Sequence, residues 1–186
     1  PGEYIPFIML LFSLYVISGG ISITGDLKAT PTVNATFILV GTLIASFIGT
    51  TGASMLLIRP LLETNRERKH VVHTVVFFIF LVSNIGGTLL PIGDPPLFLG
   101  YLRGVPFDWT LILWKEWALL GGLLISVYWI WDQIMVKRET TLDILRDDAI
   151  RRPLRMSGSI NILLLLGVVF AVALLDPSKP IPGTDI

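Results

Sequence analysis

The chain has 186 residues, 53% hydrophobic and 15% charged, with 14 basic side chains balanced by 14 acidic ones and no cysteine. A mean hydropathy of +0.75 is too high for a soluble domain, which needs a polar surface. Zero net charge implies no nucleic-acid partner, and the absence of cysteine excludes a disulfide framework, a thiolate metal site and thiol redox chemistry.

The chain opens on Pro1-Gly2-Glu3 and closes on the proline-rich stretch Asp176–Ile186, with no basic leader before the first apolar run. These ends predict an internal fragment of a longer protein. Tyr4–Ile23 is long enough to cross a hydrocarbon core of about 30 Å at about 1.5 Å per residue. Gly19-Gly20 near its end permits close helix packing. After the polar linker Thr24–Thr32, a second apolar region, Val33–Leu62, is interrupted by Gly49-Thr-Thr-Gly-Ala-Ser54. Two full crossings need about 40 apolar residues plus a turn, more than this region holds. Its arms, Val33–Ile48 and Met55–Leu62, therefore read as half-length, which fits a re-entrant hairpin entering and leaving by one face. The alternative is one long, tilted, broken helix. Asn34-Ala-Thr36 matches a glycosylation sequon by pattern only and reads as coincidence.

The basic segment Asn65–His70 leads into Val71–Leu102, long for a single span. Its middle, Ser83-Asn-Ile-Gly-Gly-Thr-Leu-Leu-Pro-Ile-Gly-Asp-Pro-Pro96, holds three prolines and three glycines, which preclude a regular helix. The pattern predicts a half-helix Val71–Val82, an unwound middle and a half-helix Leu97–Leu102. Trp109–Trp131 is the next span. Trp109, Trp114 and Trp117 mark one interface, beside Lys115 and Glu116, and Trp129 and Trp131 mark the other. Gln133–Ser157 is polar. Thr140 with Asp143 resembles a capping box, Asp147/Arg151 and Asp148/Arg152 are (i, i+4) pairs, and Pro153 stops the helix, so a short amphipathic surface helix is expected. Ile160–Leu175 is the last span.

The fold class is therefore an all-α polytopic membrane protein. Residues 1–131 form one transporter repeat, 132–157 a cytoplasmic linker, and 158–186 a span and outer loop opening the next part. Of the 14 Lys and Arg, only Arg103, Lys115 and Lys179 fall on one side, which places the other side in the cytoplasm of a bacterial inner (plasma) membrane.

Non-helical backbone inside hydrocarbon leaves N–H and C=O groups unpaired, at several kcal/mol each, so two interruptions imply a lined cavity. Interrupted helices point to a transporter's central site. The first break offers the hydroxyls of Thr50, Thr51 and Ser54 around Gly49 and Gly52. The second offers Ser83, Asn84, Thr88 and Asp94, with backbone from Gly86 to Gly93. Hydroxyls and freed carbonyls suit a hard cation such as Na⁺, and half-helix amides suit anions. Each residue also has a structural role open to it. Gly49–Ser54 can be a packing turn with Thr50 or Thr51 as cap. Asp94 can be the N-cap of the next half-helix with Pro95 at N1, a setting that stabilises the anion and favours a cation ligand over a proton carrier unless burial reverses the balance. Asn84 can pair with nearby backbone, His70 and His73 read as interfacial rather than metal-binding, and Arg59 snorkels to the cytoplasmic face.

At these residues the chain resembles the ion transporter superfamily, which includes sodium:proton antiporters, citrate and dicarboxylate transporters and arsenite permeases. Ile48-Gly-Thr-Thr-Gly-Ala-Ser-Met-Leu-Leu-Ile-Arg-Pro60 is similar to the family's first re-entrant hairpin, and Ser83–Pro96 to the unwound helix after it. The resemblance covers roughly Tyr4–Trp131. It implies two inverted repeats, often in a homodimer, of which this chain supplies the first and lacks the second. It also implies a cation between hairpin tip and unwound helix, near Gly49, Thr50, Thr51, Asn84, Gly93 and Asp94, with Thr50, Thr51, Asn84 and Asp94 as Na⁺ ligands. Dicarboxylate members carry Ser-Asn-Thr at the tip and an uncharged residue at Asp94, whereas antiporters share Gly93-Asp94. The first expectation is accordingly Na⁺/H⁺ antiport by alternating access. The alternatives are Na⁺- or H⁺-coupled transport of citrate, a dicarboxylate or another anion, and a non-transporting membrane scaffold subunit. No enzymatic activity and no cofactor beyond the ion are expected. The partners are the bilayer and a small ion or molecule.

Overall fold

A computed structural model describes residues 4–144 and 152–174. The predicted pair Asp147/Arg151, Asp148 of the second pair and the outer loop after Leu174 fall outside these residues. Seven α-helices are described: α1 Tyr4–Gly19, α2 Pro31–Ile48, α3 Thr50–Thr64, α4 Val72–Leu81, α5 Pro95–Leu102, α6 Trp114–Val136 and α7 Ser159–Leu174. Short 3-10 turns occupy Ile85–Leu89 and Trp109–Leu113. Among the described residues, three stretches are long and apolar enough to cross a membrane: Pro31–Ile48, Val72–Leu89 and Trp109–Val136. Large apolar side chains stand exposed along α1, α6 and α7, among them Phe12, Leu119, Leu123, Leu163 and Phe170, as lipid-facing surfaces require.

The second apolar region differs from its predicted form. Its arms, expected to be half-length, are α2, 18 residues and long enough to cross a membrane, and α3, 15 residues, and the break is Gly49 alone. Thr50–Ser54, predicted as part of the interruption, are the first turn of α3. The reversal takes one residue because Gly49 holds φ 78°, a left-handed conformation that costs glycine little and a side-chain-bearing residue more. The helices then run back along each other. Asn34 and Asn65, at the far ends, exchange two amide hydrogen bonds of 2.8 and 2.9 Å. Thr30 caps α2 by accepting from the Val33 N–H, with Pro31 just inside the helix. Small residues let the hairpin pack closely: a Cβ on Gly41 would lie 2.8 Å from Leu57 Cδ1.

The first span is shorter than predicted. Its helix ends at Gly19, and Ser22–Asp26 forms a β-strand, β1, antiparallel to β2, Arg152–Ser157. Ser22 pairs with Ser157 and Thr24 with Arg155, and the register breaks at Gly25. Arg152, predicted in a helix, is thus in a strand, and the polar stretches on either side of the bundle are joined. The ribbon brings the start of α7 against the end of α1, where Gly20 leaves room for Asn161. Thr140 and Asp143 form half of the expected capping box: Thr140 Oγ1 accepts from the Asp143 N–H at 3.4 Å, and the Asp143 carboxylate accepts from the Thr140 hydroxyl at 2.5 Å.

A buried polar cluster joins the open end of the hairpin to α4 and α6. Asp132, wholly buried, accepts from Arg68 Nη1 at 3.1 Å and Nη2 at 2.5 Å, from Asn34 Nδ2 at 3.4 Å and from Tyr128 Oη at 3.4 Å. His73 Nε2 lies 2.7 Å from its Oδ1. Arg68 also donates to Asn65 Oδ1 at 3.2 Å. Asn34 is itself 0% exposed, which rules out its sequon as a glycan acceptor in this fold. Removing the carboxylate leaves the buried guanidinium uncompensated, so Asp132→Ala is expected to cost about 3–5 kcal/mol, read as a lowered Tm of the full-length protein in detergent or lipid.

Candidate functional site

After α4 the backbone leaves the helix at Val82 and resumes regular helix only at Pro95. Gly86 explains where this segment sits. Its Cβ would fall 2.7 Å from both Ala45 Cβ and Thr42 O, so the backbone lies directly on α2. Gly87 and Gly93 are in backbone contact with each other, and Thr50 Cγ2 would be 2.6 Å from a Cβ on Gly87. The freed carbonyls find partners around them. Ser46 Oγ donates to Gly86 O at 2.5 Å, Trp117 Nε1 to Ile85 O at 2.9 Å, and Thr110 Oγ1 to Leu89 O at 2.8 Å. Trp117 is therefore more than an interfacial anchor.

The hairpin tip docks here. The Thr50 N–H donates to Gly93 O at 3.0 Å, and Ser54 and Ser83 hydroxyls lie 2.7 Å apart. Gly49, Thr50, Thr51 and Gly93 together line a cavity of about 330 Å³ closed on its other side by α1 residues such as Phe12 and Tyr15. The tip and the following non-helical segment thus meet as predicted, though not all of the predicted residues share the cavity. Asn84 is exposed and donates to Ile79 O at 3.1 Å, closing the end of α4. Thr88 Oγ1 donates to Ile85 O at 2.8 Å within its own turn. Asp94 occupies the N-cap position of α5, with φ −139° and ψ 133°, but its side chain makes no cap hydrogen bond. The reason is local: Pro95 and Pro96 carry no N–H, and Leu97 donates to the Asp94 carbonyl. Its carboxylate has no partner among the described residues. Gly93 and Pro95 line the cavity and Asp94 between them does not.

The two half-helix starts differ in what they offer. The α5 start presents no free amide in its first two positions, because both are proline. The α3 start has no side-chain cap, and the Thr51 and Gly52 N–H groups have no partner among the described residues. Both residues line the cavity. Uncapped amides at a helix N-terminus carry partial positive charge and suit a carboxylate or phosphate.

The residues that the sequence pattern did not mark as buried are those of the Asp132 cluster. The apolar run was read as ending at Trp131, so Asp132 passed as the start of a polar loop. The available signal was the one-face spacing of Gly121, Tyr128 and Asp132, the buried residues of α6. His73, read as interfacial, is buried in the same cluster.

An apolar helical bundle with a hairpin tip seated on a glycine-rich non-helical segment defines a polytopic membrane protein of the transporter class. The chain belongs to the family described as "Putative citrate transport", whose model matches residues 2–186. No curated protein and no solved structure matches it. The resemblance to citrate-transporter-like proteins is thereby established, and the family's description is one of transport. Na⁺/H⁺ antiport gains no support from this match, and the citrate alternative fits it better.

The Ser54–Ser83 distance makes a specific expectation. In a chain without cysteine, Ser54→Cys with Ser83→Cys is expected to oxidise to an intrachain disulfide, detected as a cross-linked peptide by mass spectrometry.

Proposed function

We propose that this chain forms the first-repeat half of a cation-coupled transporter of citrate or a related carboxylate, working by alternating access. In this reading α2–α3 is a re-entrant hairpin and residues 72–102 are a span broken between its two half-helices. The observation that carries it is the pair of unpartnered amides, Thr51 and Gly52, opening onto the tip cavity of a chain from this transport family. They suit one carboxylate of the substrate. The Asp94 carboxylate, which has no partner among the described residues and stands outside the cavity lining between Gly93 and Pro95, suits the coupling cation. A multiply charged anion crosses a membrane more readily with its charge partly neutralised, so anion-favouring amides in the cavity and a cation-favouring carboxylate one residue from its lining form a coherent pair. The length of α2 bears on depth. Its 18 residues span about 27 Å, close to the thickness of the hydrocarbon core, so an upright hairpin entering from the cytoplasmic side carries its tip toward the outer leaflet.

The test is uptake of labelled citrate by proteoliposomes of the full-length protein under imposed Na⁺ or proton gradients. Accumulation that needs a cation gradient is expected, and Asp94→Asn is expected to lower gradient-driven accumulation at least about tenfold, the effect of losing about 1.4 kcal/mol of cation binding. Na⁺-driven proton movement in the absence of any carboxylate, with no citrate uptake, would replace this reading with antiport. An Asp94→Asn variant with unchanged coupling would remove Asp94 from the cation site.

A further inference from the structure

The Asp132 cluster lies at the end of the hairpin opposite the tip, away from the cavity assigned above to the transported solute. Its arginine is incompletely satisfied. Arg68 is 8% exposed, and its Nε is buried with no partner among the described residues. It borders a second cavity of about 140 Å³, which Lys28, Glu139 and Asp143 also line. His73 and Arg68 Nη2 meet the same oxygen, Oδ1 of Asp132. Arg68 Nη1 in turn holds Asn65, at the end of α3.

We propose that His73 and Arg68 form a proton-operated latch on the base of the hairpin. With His73 neutral, Arg68 is the counter-charge of Asp132 and the base is closed. When His73 takes a proton, its imidazolium supplies that counter-charge through Oδ1, and Arg68 becomes a surplus cation in a buried site. Such a charge is costly to keep, and the adjoining cavity offers it space and two carboxylates. Moving there, Arg68 gives up both Asp132 and Asn65, which leaves the Asn65 side chain held, among the described residues, only by Asn34 and Leu61 O and loosens the end of α3.

Around the latch stand Asp132 and Tyr128 from α6, the neutral Asn34 from α2, Glu67 next to Arg68 in the chain, with Oε2 buried and without a partner among the described residues, and Lys28, which lines the same cavity as Arg68. At the cavity mouth, Glu139 accepts from the Lys69 and His70 N–H groups at 3.1 and 2.8 Å and lies 3.2 Å from His70 Nδ1. Burial raises the affinity of Glu139 for a proton, but those hydrogen bonds outweigh it and hold the group below its ordinary range. Asp143 is held down likewise, chiefly by the Thr140 hydroxyl and also by Lys69. Both are therefore held ionised, and Arg68 joins a site in which Asp143 already pairs with Lys69 at 3.2 Å and which Lys28 also lines. His70 is the one other imidazole facing this segment and must be controlled for.

The experiment is hydrogen–deuterium exchange on the full-length protein in lipid nanodiscs between pH 8 and 5.5, corrected for intrinsic exchange rates. Protection at the end of α3 and in the loop up to His70 is expected to fall about tenfold in the wild type and in His70→Gln, and to stay constant in His73→Gln. A second readout keeps the proposal testable if His73→Gln folds poorly. The His73 and Trp131 rings stack at 6.4 Å with planes 7° apart, so an imidazolium there quenches that indole. Acid quenching is expected in the wild type and expected to be absent in Trp131→Phe. The latch is overturned by protection that does not change with pH in the wild type, by the same change in His73→Gln, or by Trp131 quenching without loss of protection.

Discussion

A fully buried carboxylate must be paired, and in this chain the pairing of Asp132 dictates how the helices assemble. Its two oxygens take donors from α2, from the loop after α3, and from α6 itself, with His73 of α4 alongside. Desolvating a carboxylate and a guanidinium costs several kcal/mol per ion, which only good geometry and additional hydrogen bonds repay. The arrangement therefore tolerates little displacement of any contributing element. Because Asn34 and Asn65 sit at the two ends of the hairpin and bond to each other as well as to this cluster, the base of the hairpin is fixed in register, and the tip is placed by the lengths of α2 and α3.

At the tip the limiting factor is backbone proximity rather than charge. Gly86, Gly87 and Gly93 let a segment that has left the α-helix, through a 3-10 turn, lie against α2 and against itself, where any Cβ would collide with neighbouring backbone. The carbonyls exposed by leaving the helix are then met by side chains from outside the segment: Ser46, Thr110 and Trp117. The same geometry leaves two amides of α3 unmet at the edge of a cavity, and the double proline leaves Asp94 without the cap hydrogen bonds that its position would otherwise provide. Polar groups left unpaired in an otherwise satisfied apolar bundle are where a solute gains most by binding.

Several of these features were legible in the sequence. Glycine and proline density in Ser83–Pro96 announced the non-helical segment, since those residues act locally and need no knowledge of neighbours. The positions of α4, α5, α6 and α7 followed from apolar run length to within a few residues. The hairpin was legible as two arms and a turn, but the turn was overestimated, because Thr50–Ser54 look like helix breakers and are in fact a first turn packed on α1 through Gly52 and Ser18. The candidate ligands were only partly sorted. Asn84 and Thr88 spend their hydrogen-bonding capacity on nearby backbone, a choice that depends on the path of the chain and not on residue type.

The sequence alone determined that this is a multi-span membrane protein, which stretches are apolar enough to cross, where regular helix must fail, and which family it resembles. Those properties are sums of local preferences for lipid, for helix and against it. The tertiary structure decided the rest: that Asp132, Arg68 and His73, distant along the chain, are one buried cluster; that Ser22–Asp26 and Arg152–Ser157 pair as a ribbon; and that only one of the two half-helix starts offers amides to a cavity. Each of these is a contact between segments far apart in sequence, and a polar residue at the end of an apolar run gives no local sign of whether water or another helix will satisfy it.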